Sequence, residues 1–510
     1  MAQQITPFSI TKPGFRGLNI QDAPVGLDPS FALVANNCVI DHSGRVAARK
    51  GWSAKNTANT ELSTSDVTCI GEVVENDGTI TVVAAGGGYL YTHSGTTLTT
   101  LTYGGGGAAP TISADNWQFC QLAGIGMFWQ SGYDPLIYDP AVSTTTFRRL
   151  NEKTGTSGTV YQCDTAIAAY GRVWAADTAT DKSTVVWSDL LTPHIWNTGT
   201  AGSLDLRQVW PVGGDEVVAL AAHNDFLIIF GKRQTLIYAG ADDPSTMKLS
   251  DSINNIGCIA RDSVQVAGED IIFLSDSGVR SLLRTIQEKS SPLRELSRNV
   301  RDEIQYHIGI ETLADIKSVY SPVHAFYLIT MPASNETYCF DTRTVDEKGA
   351  ARATVWDGTP AKSFYQLSTR ELYTGRAGFI GEYTGYLDNA STYRMSYFST
   401  WIDFGNPIQT SIFKKMISTL VGMTNQIVTF KWEFDFNPST NSQQKTITGI
   451  PVPAEYGVAE YGIAEYSAST YRVKLKSNGS GAGQVLRIGI EAEIGGFGLS
   501  IQKIDILTKD

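Results

Sequence analysis

Val217-Val218-Ala219-Leu220-Ala221, His223-Asn224-Asp225, Phe226-Leu227-Ile228-Ile229-Phe230, Gly231-Lys232 and Thr235-Leu236-Ile237-Tyr238 read as three short strands joined by two tight turns. Asn-Asp and Gly between apolar runs are hairpin signals. The same unit recurs along the chain. Anchored on the middle of each apolar run, it falls at Ala85, Phe128, Trp174, Ile228, Phe273, Leu328 and Tyr373, with spacings of 43, 46, 54, 45, 55 and 45. A period of about 40–50 residues built from strand alone predicts a β-propeller of six or seven blades. Each blade would be an antiparallel sheet that cannot bury its faces without its neighbours.

Composition agrees with an all-β chain. The 510 residues exceed one ordinary core, so two or three domains are expected. Charged residues make up 18%, below the usual ~25%, and 49 glycines without a collagen period supply many turns. A formal net charge of −11, with no long Lys/Arg block, disfavours sequence-independent binding of nucleic acid. The six cysteines are scattered singly without a CxxC pair, and several lie inside apolar runs, so buried free thiols are expected. Met1-Ala2-Gln3-Gln4 carries no basic-plus-apolar signal, and no apolar run approaches ~18 residues. A protein made in the cytoplasm, with no membrane insertion, is expected.

The chain divides into an extended arm (1–52), the propeller (53–404) and a C-terminal β-sandwich or sheet domain (405–510). In the arm, Thr6-Pro7, Lys12-Pro13, Ala23-Pro24 and Asp28-Pro29 bias the chain toward extended backbone. It must lie on its own domain or on a neighbouring subunit. Gly86-Gly87-Gly88 reads as a hairpin turn. Ser291-Pro292, followed by Leu293, Leu296, Val300 and Ile304, predicts one amphipathic helix inserted between the fifth and sixth units. Beyond Gly405, Val428, Phe430, Trp432, Phe434 and Phe436 alternate with polar residues, as do Tyr471, Val473 and Leu475 and then Leu486, Ile488 and Ile490. Asn478-Gly479-Ser480-Gly481 reads as a flexible tip between two such strands. The pentads Ala454-Glu455-Tyr456-Gly457-Val458, Ala459-Glu460-Tyr461-Gly462-Ile463 and Ala464-Glu465-Tyr466-Ser467-Ala468 keep neither helix nor strand periodicity. They read as an exposed loop, either plain or a contact surface.

Signals of chemistry are sparse. His42, His93, His194, His223, His307 and His324 are isolated, no HExxH spacing occurs, and neither a metal nor a cofactor is expected. There is no GxSxG elbow, phosphate-binding loop or sialidase Asp-box. A propeller glycosidase would need two facing carboxylates. Asp189, Asp225, Asp270 and Asp357 sit at strand ends, where turn chemistry already accounts for Asp. No catalytic residue, and no enzyme, is expected.

Gly14-Phe15-Arg16-Gly17-Leu18-Asn19, then Asp28-Pro29, Ala35-Asn36-Asn37, Ser43-Gly44-Arg45-Val46 and Arg49-Lys50-Gly51-Trp52 resemble the leader of bacteriophage tail-tube, hub and nozzle proteins. That leader often reads GGLN…P…A.N…GG…RPG; here Arg16-Gly17 replaces the glycine pair and Arg49-Lys50-Gly51 replaces Arg-Pro-Gly. Asn224-Asp225-Phe226, Gly257-Cys258-Ile259-Ala260, Ser277-Gly278-Val279, Pro322 to Tyr327 and Thr337 to Asp341 are similar to the hub or DNA-stabilisation proteins of short-tailed phages. The resemblance implies a structural virion protein of the tail, a homohexameric ring below a portal-adaptor ring. It would extend the DNA channel, retain packaged DNA that passes without sequence-specific binding, and mount fibres, spikes or a tip. Assembly contacts would fall on Arg16, Asn19, Asp28, Asn36, Arg45, Arg49, Trp52, Tyr456, Tyr461 and Tyr466. A β-propeller that binds or cleaves glycans of the bacterial envelope is the alternative.

Overall fold

Each of the seven anchors falls on the second strand of its own antiparallel sheet. The computed structural model describes residues 5–113, 116–287, 295–358, 360–404, 408–423, 425–437, 439–448 and 470–509. Ala85 lies on Ile80–Gly86, Phe128 on Ile125–Trp129, Trp174 on Arg172–Thr178 and Ile228 on Phe226–Gly231. Phe273 lies on Asp270–Ser275, Leu328 on Phe326–Met331 and Tyr373 on Leu372–Arg376. The first strands of these sheets begin at Val67, Gln118, Cys163, Val217, Gln265, Ser318 and Ser363. They pack side by side in that order, and the last meets the first. The chain is a β-propeller of seven blades.

The anchor runs are continuously apolar because a second strand is covered on both faces by the neighbouring blades. Met127, Phe128 and Trp129 are all fully buried. The hairpins that return the chain adopt left-handed backbone at both central positions, Gly87 and Gly88 in the first blade and Asn224 and Asp225 in the fourth. All six cysteines are free and buried.

Of the two supports open to the arm of residues 1–52, its described residues (5–52) use the first and lie on their own chain. They contribute β1 (Ile5–Ile10), β2 (Ala32–Asn36), β3 (Cys38–Ile40) and β4 (Val46–Ala48), followed directly by β5 (Trp52–Ala54). β5 supplies the fourth strand of the seventh blade, with Trp52 opposite Tyr383 and Ala54 opposite Gly381. The ring is thus closed by a strand from the opposite end of the sequence. Leu18, Ala32, Ala35, Cys38 and Val46 are buried within this same chain. Strands of three to six residues could not stand alone, but each is paired into a larger sheet.

β2 lies between Ala351–Asp357, the outer strand of the sixth blade, and Tyr393–Ser399. The sixth blade therefore runs on into the C-terminal domain as a nine-stranded sheet, which continues through Leu486–Ile494, Ile427–Phe434 and Asn441–Thr446. A second sheet combines β1, β3 and β4 with Ser500–Lys509, Ser411–Met423 and Thr470–Asn478. The two form a β-sandwich that begins at Tyr393, ahead of the expected boundary at 405. Phe430, Trp432, Ile488 and Ile490 face Phe413, Met416, Leu420 and Ile504 in a core that is continuous with the sixth blade. Phe413 meets Trp432 edge to face at 5.6 Å. The alternation stops at Phe434: Phe436 lies in a turn with φ +58° and packs on Trp401. The tip at Asn478–Gly481 is tied down, since Trp432 donates its indole N–H to the Ser480 carbonyl at 2.8 Å.

Among the described residues, the insertion after the fifth blade holds two α-helices, α1 (Leu282–Gln287) and α2 (Arg301–Ile310). Ser291, Pro292 and Leu293, expected to start the helix, lie outside the described residues. Leu296, Val300 and Ile304 are buried, but only Ile304 lies on an α-helix: Leu296 is in a turn and Val300 in a short 3-10 turn, so the regular helix starts later than the spacing predicted. No described helix is long and apolar enough to cross a membrane.

Where the N-terminal segment, the seventh blade and the sandwich meet, Arg49 is 2% exposed. Its guanidinium grips Asp388 with two bonds of 2.8 and 2.7 Å, donates to Asn37 Oδ1 at 2.9 Å and lies over the Tyr393 ring at 4.2 Å. Asn37, itself buried, donates to Asp357 and to the Arg394 carbonyl. Gly51 has no room for a side chain, because a Cβ there would lie 1.9 Å from the Leu387 carbonyl oxygen. Breaking one partner of a buried pair strands the other, at about 3–5 kcal/mol. Arg49→Ala is therefore expected to lower unfolding stability by about that amount, while Arg207→Ala, at a 62% exposed pair, costs under about 1 kcal/mol. Urea midpoints of the two variants compare them, and equal losses would contradict the assignment.

Candidate functional site

The axis of the propeller opens into a cavity of about 380 Å³. The first strands of five blades line it, together with the segments that enter them. Trp117, Phe119, Phe364 and Tyr365 supply aromatic walls, and Gln118, Gln265 and Gln366 supply amides. Across its floor runs an ionic brace. Arg261 gives Asp262 two bonds of 2.9 Å, reaches the Asp164 carbonyl at 2.7 Å and contacts Asn116 Oδ1 at 2.8 Å. Lys317 meets Asp262 at 2.5 Å and also binds Asn116. The brace joins residues from the second, third, fifth and sixth blades across the centre.

Burial alone would raise the Asp262 carboxyl, but Arg261 and Lys317 outweigh it and hold the group well below the usual carboxylate range. A carboxylate clamped this way is neither a proton donor nor a free base near neutral pH. Cys69, in the same lining, is pushed up to about 12 by burial, so its thiol is not a nucleophile. Gln366 Oε1 is buried without a hydrogen-bond partner. The cavity offers polar groups that could meet a polar guest.

A second cavity, of about 550 Å³, lies along the seam between the N-terminal segment and the sixth and seventh blades. It is lined in part by Asp41, Arg45, Lys50, His324, Arg343 and Tyr383. His324 stacks on Phe326 at 5.3 Å and meets Tyr383 edge-on at 5.1 Å. Burial, with Lys50 and His42 nearby, lowers its pKa from 6.5 to about 4.

The residues singled out as assembly contacts are distributed as follows. Asn19 is buried and accepts bonds from the Gln21 and Asp22 backbone N–H groups. Asp28 accepts from Ser30 N–H and lies 4.0 Å from Arg16, whose guanidinium covers Phe31. Asn36 is in β2, Arg45 pairs with Asp41 at 2.8 Å, and Trp52 lies under Arg376. Asn19 and Arg49 are thus engaged inside the chain. Tyr456, Tyr461 and Tyr466 lie outside the described residues. Of the strand-end carboxylates, Asp189 accepts from Thr200 N–H at 2.9 Å and Asp270 from Leu283 N–H at 2.9 Å. Asp357 serves Asn37, and Asp225 forms the fourth-blade turn. Asp189, Asp225 and Asp270 act locally, whereas Asp357 reaches across to the N-terminal segment. Sequence reasoning missed Arg261, Asp262 and Lys317, whose partners lie as far as 201 residues apart.

The depressed His324 pKa has a definite sign. Unfolded chains take up the proton near pH 6.5, whereas folded chains resist until about pH 4. The contribution is therefore complete above pH 6.5 and drains away as pH falls toward 4, by up to about 3 kcal/mol. His324→Phe is expected to flatten this limb when urea midpoints at pH 7.5 and 4.5 are compared with those of the unmodified protein. Parallel losses in both proteins would contradict it.

No protein-family model matches the chain, and no curated protein matches it in sequence. Among solved structures, the WD40 domain of Pan2 from Neurospora crassa is similar at 10% identity and a TM-score of 0.38, covering 67% of this chain and 97% of that one. PorZ, a surface component of the type-IX secretion system of Porphyromonas gingivalis, is similar at 11% identity and a TM-score of 0.36. That match covers 70% of this chain, which spans less than half (44%) of PorZ. An auxiliary nutrient binding protein from Bacteroides thetaiotaomicron is similar at 9% identity, with a TM-score of 0.35, covering 66% of this chain and 76% of that one. Likeness of this order carries no functional argument.

Proposed function

We propose that this chain is a structural subunit of a short phage tail, a hub or nozzle built as a homohexameric ring beneath a portal-adaptor ring. The reading rests on the leader resemblance, and one observation carries it. The leader residues Asn37, Arg49, Gly51 and Trp52 are those that fasten propeller and sandwich into one body. A stiff two-part block suits a mechanical role. In this reading the blade axis, braced by Arg261, Asp262 and Lys317, is not the path for DNA. The conduit is the lumen enclosed by the subunits, where an inward Lys or Arg would become six phosphate anchors. The −11 charge suits a wall of Asp, Glu, Ser, Thr, Asn and Gln that lets DNA pass.

The second reading, a glycan-binding propeller, draws on the axial cavity, whose aromatic walls and unsatisfied Gln366 amide would suit a sugar. The two are separable. Mass photometry of the purified chain, alone and with its adaptor ring, should give a hexamer in at least the second setting. A map of that ring should show an open, non-basic lumen. A monomer in both settings, or a lumen lined throughout by Lys and Arg, would contradict the tail reading. Release of reducing sugar from envelope glycan, lost on changing one carboxylate, would replace it with an enzymatic one.

A further inference from the structure

Glu303 and His307 are one turn apart on α2 and share a face. Against that face lies Glu336, the first residue of the third strand of the sixth blade. One ligand atom from each of the three falls within 4.8 Å of the other two. The imidazole is 6% exposed. Its other nitrogen is fixed from behind. Ser334 Oγ donates to Glu311 Oε1 at 3.1 Å, so it accepts from His307 Nδ1–H at 2.6 Å. Glu311 is itself held by the backbone N–H groups of Ala333 and Ser334. A carboxylate–hydroxyl–imidazole chain of this kind selects the tautomer and presents Nε2 as a lone pair.

That lone pair has no hydrogen-bond partner. Glu336 Oε2 is 3.1 Å away but off the direction in which a ring N–H would point. The offset is poor for a hydrogen bond and right for two donors sharing an ion. Ligands about 2.0–2.1 Å from a tetrahedral centre stand about 3.3 Å from each other and point at the ion.

We propose that Glu303, His307 and Glu336 hold a divalent transition-metal ion of the zinc class, with His307 Nε2 as the nitrogen donor, one oxygen from each carboxylate, and solvent in the fourth position. Side-chain rotation would bring the three ligand atoms, already within 4.8 Å of one another, to coordination spacing. The ion staples α2 to the sixth blade, beside Val300 and Ile304, which already bury against the shared core. Three protein ligands also leave one coordination position open.

Tag-free protein treated with chelator and then dialysed against zinc chloride is measured for bound metal by mass spectrometry. One equivalent is expected in the unmodified protein, with affinity reduced at least about tenfold in His307→Gln and Glu336→Gln. X-ray absorption of the zinc-loaded protein should show one imidazole with oxygen neighbours and no sulfur, a result that does not depend on the variants folding. Less than a tenth of an equivalent bound, equal binding by folded His307→Gln, or sulfur in the shell would each overturn the proposal. In those cases the trio is a metal-free contact between a histidine and two acids.

Discussion

A ring of sheets gains its stability only when it closes, and this one closes through three residues. Trp52, Ser53 and Ala54 pair with Phe379–Tyr383 and complete the seventh blade. Without them that blade would end in an open edge, a row of unpaired N–H and C=O groups. The closing strand is itself positioned by what precedes it. Arg49 is locked to Asp388 and Asn37, and Gly51 passes against the Leu387 backbone. A few residues upstream, β2 joins the sixth blade to the sandwich. Closure of the ring and fusion of the two units are thus one event, governed by one short stretch of chain.

This dependence explains which parts of the structure were legible. Second strands, covered on both faces, write a continuous apolar run into the sequence, and every one of the seven anchors found its strand. The long alternation of Val428, Phe430 and Trp432 announced a sheet with one buried face. By contrast, β3, β4 and β5 are three residues each, too short for any periodicity to register. β4 and β5 also pair with strands hundreds of residues away, as Arg49 does with Asp388. Residues 1–52 therefore read only as an extended arm that must lie on its own domain or on a neighbouring subunit, whereas the described residues 5–52 are paired into the sheets of this same chain.

The polar sites show the same asymmetry. Glu303 and His307 stood at helical spacing in the sequence, yet the third acid arrives from a strand, and only the packing of α2 on the sixth blade unites them. The brace of Arg261, Asp262, Lys317 and Asn116 likewise draws on separate blades. Buried ions of this kind add little net stability over an apolar core but are costly to leave half made. They favour one arrangement of the blades over slipped alternatives. A body whose two units share a core and whose axis is cross-braced is suited to bearing load, in accord with the proposed place in a tail.

The most direct test is native-state hydrogen exchange on the unmodified protein, read strand by strand. If the N-terminal segment closes the ring and fuses it to the sandwich, amides of β2, β5, Phe379–Tyr383 and Tyr393–Ser399 should open together, at the free energy of global unfolding. Opening of β5 and the seventh blade at much lower free energy, with the sandwich still protected, would contradict the account.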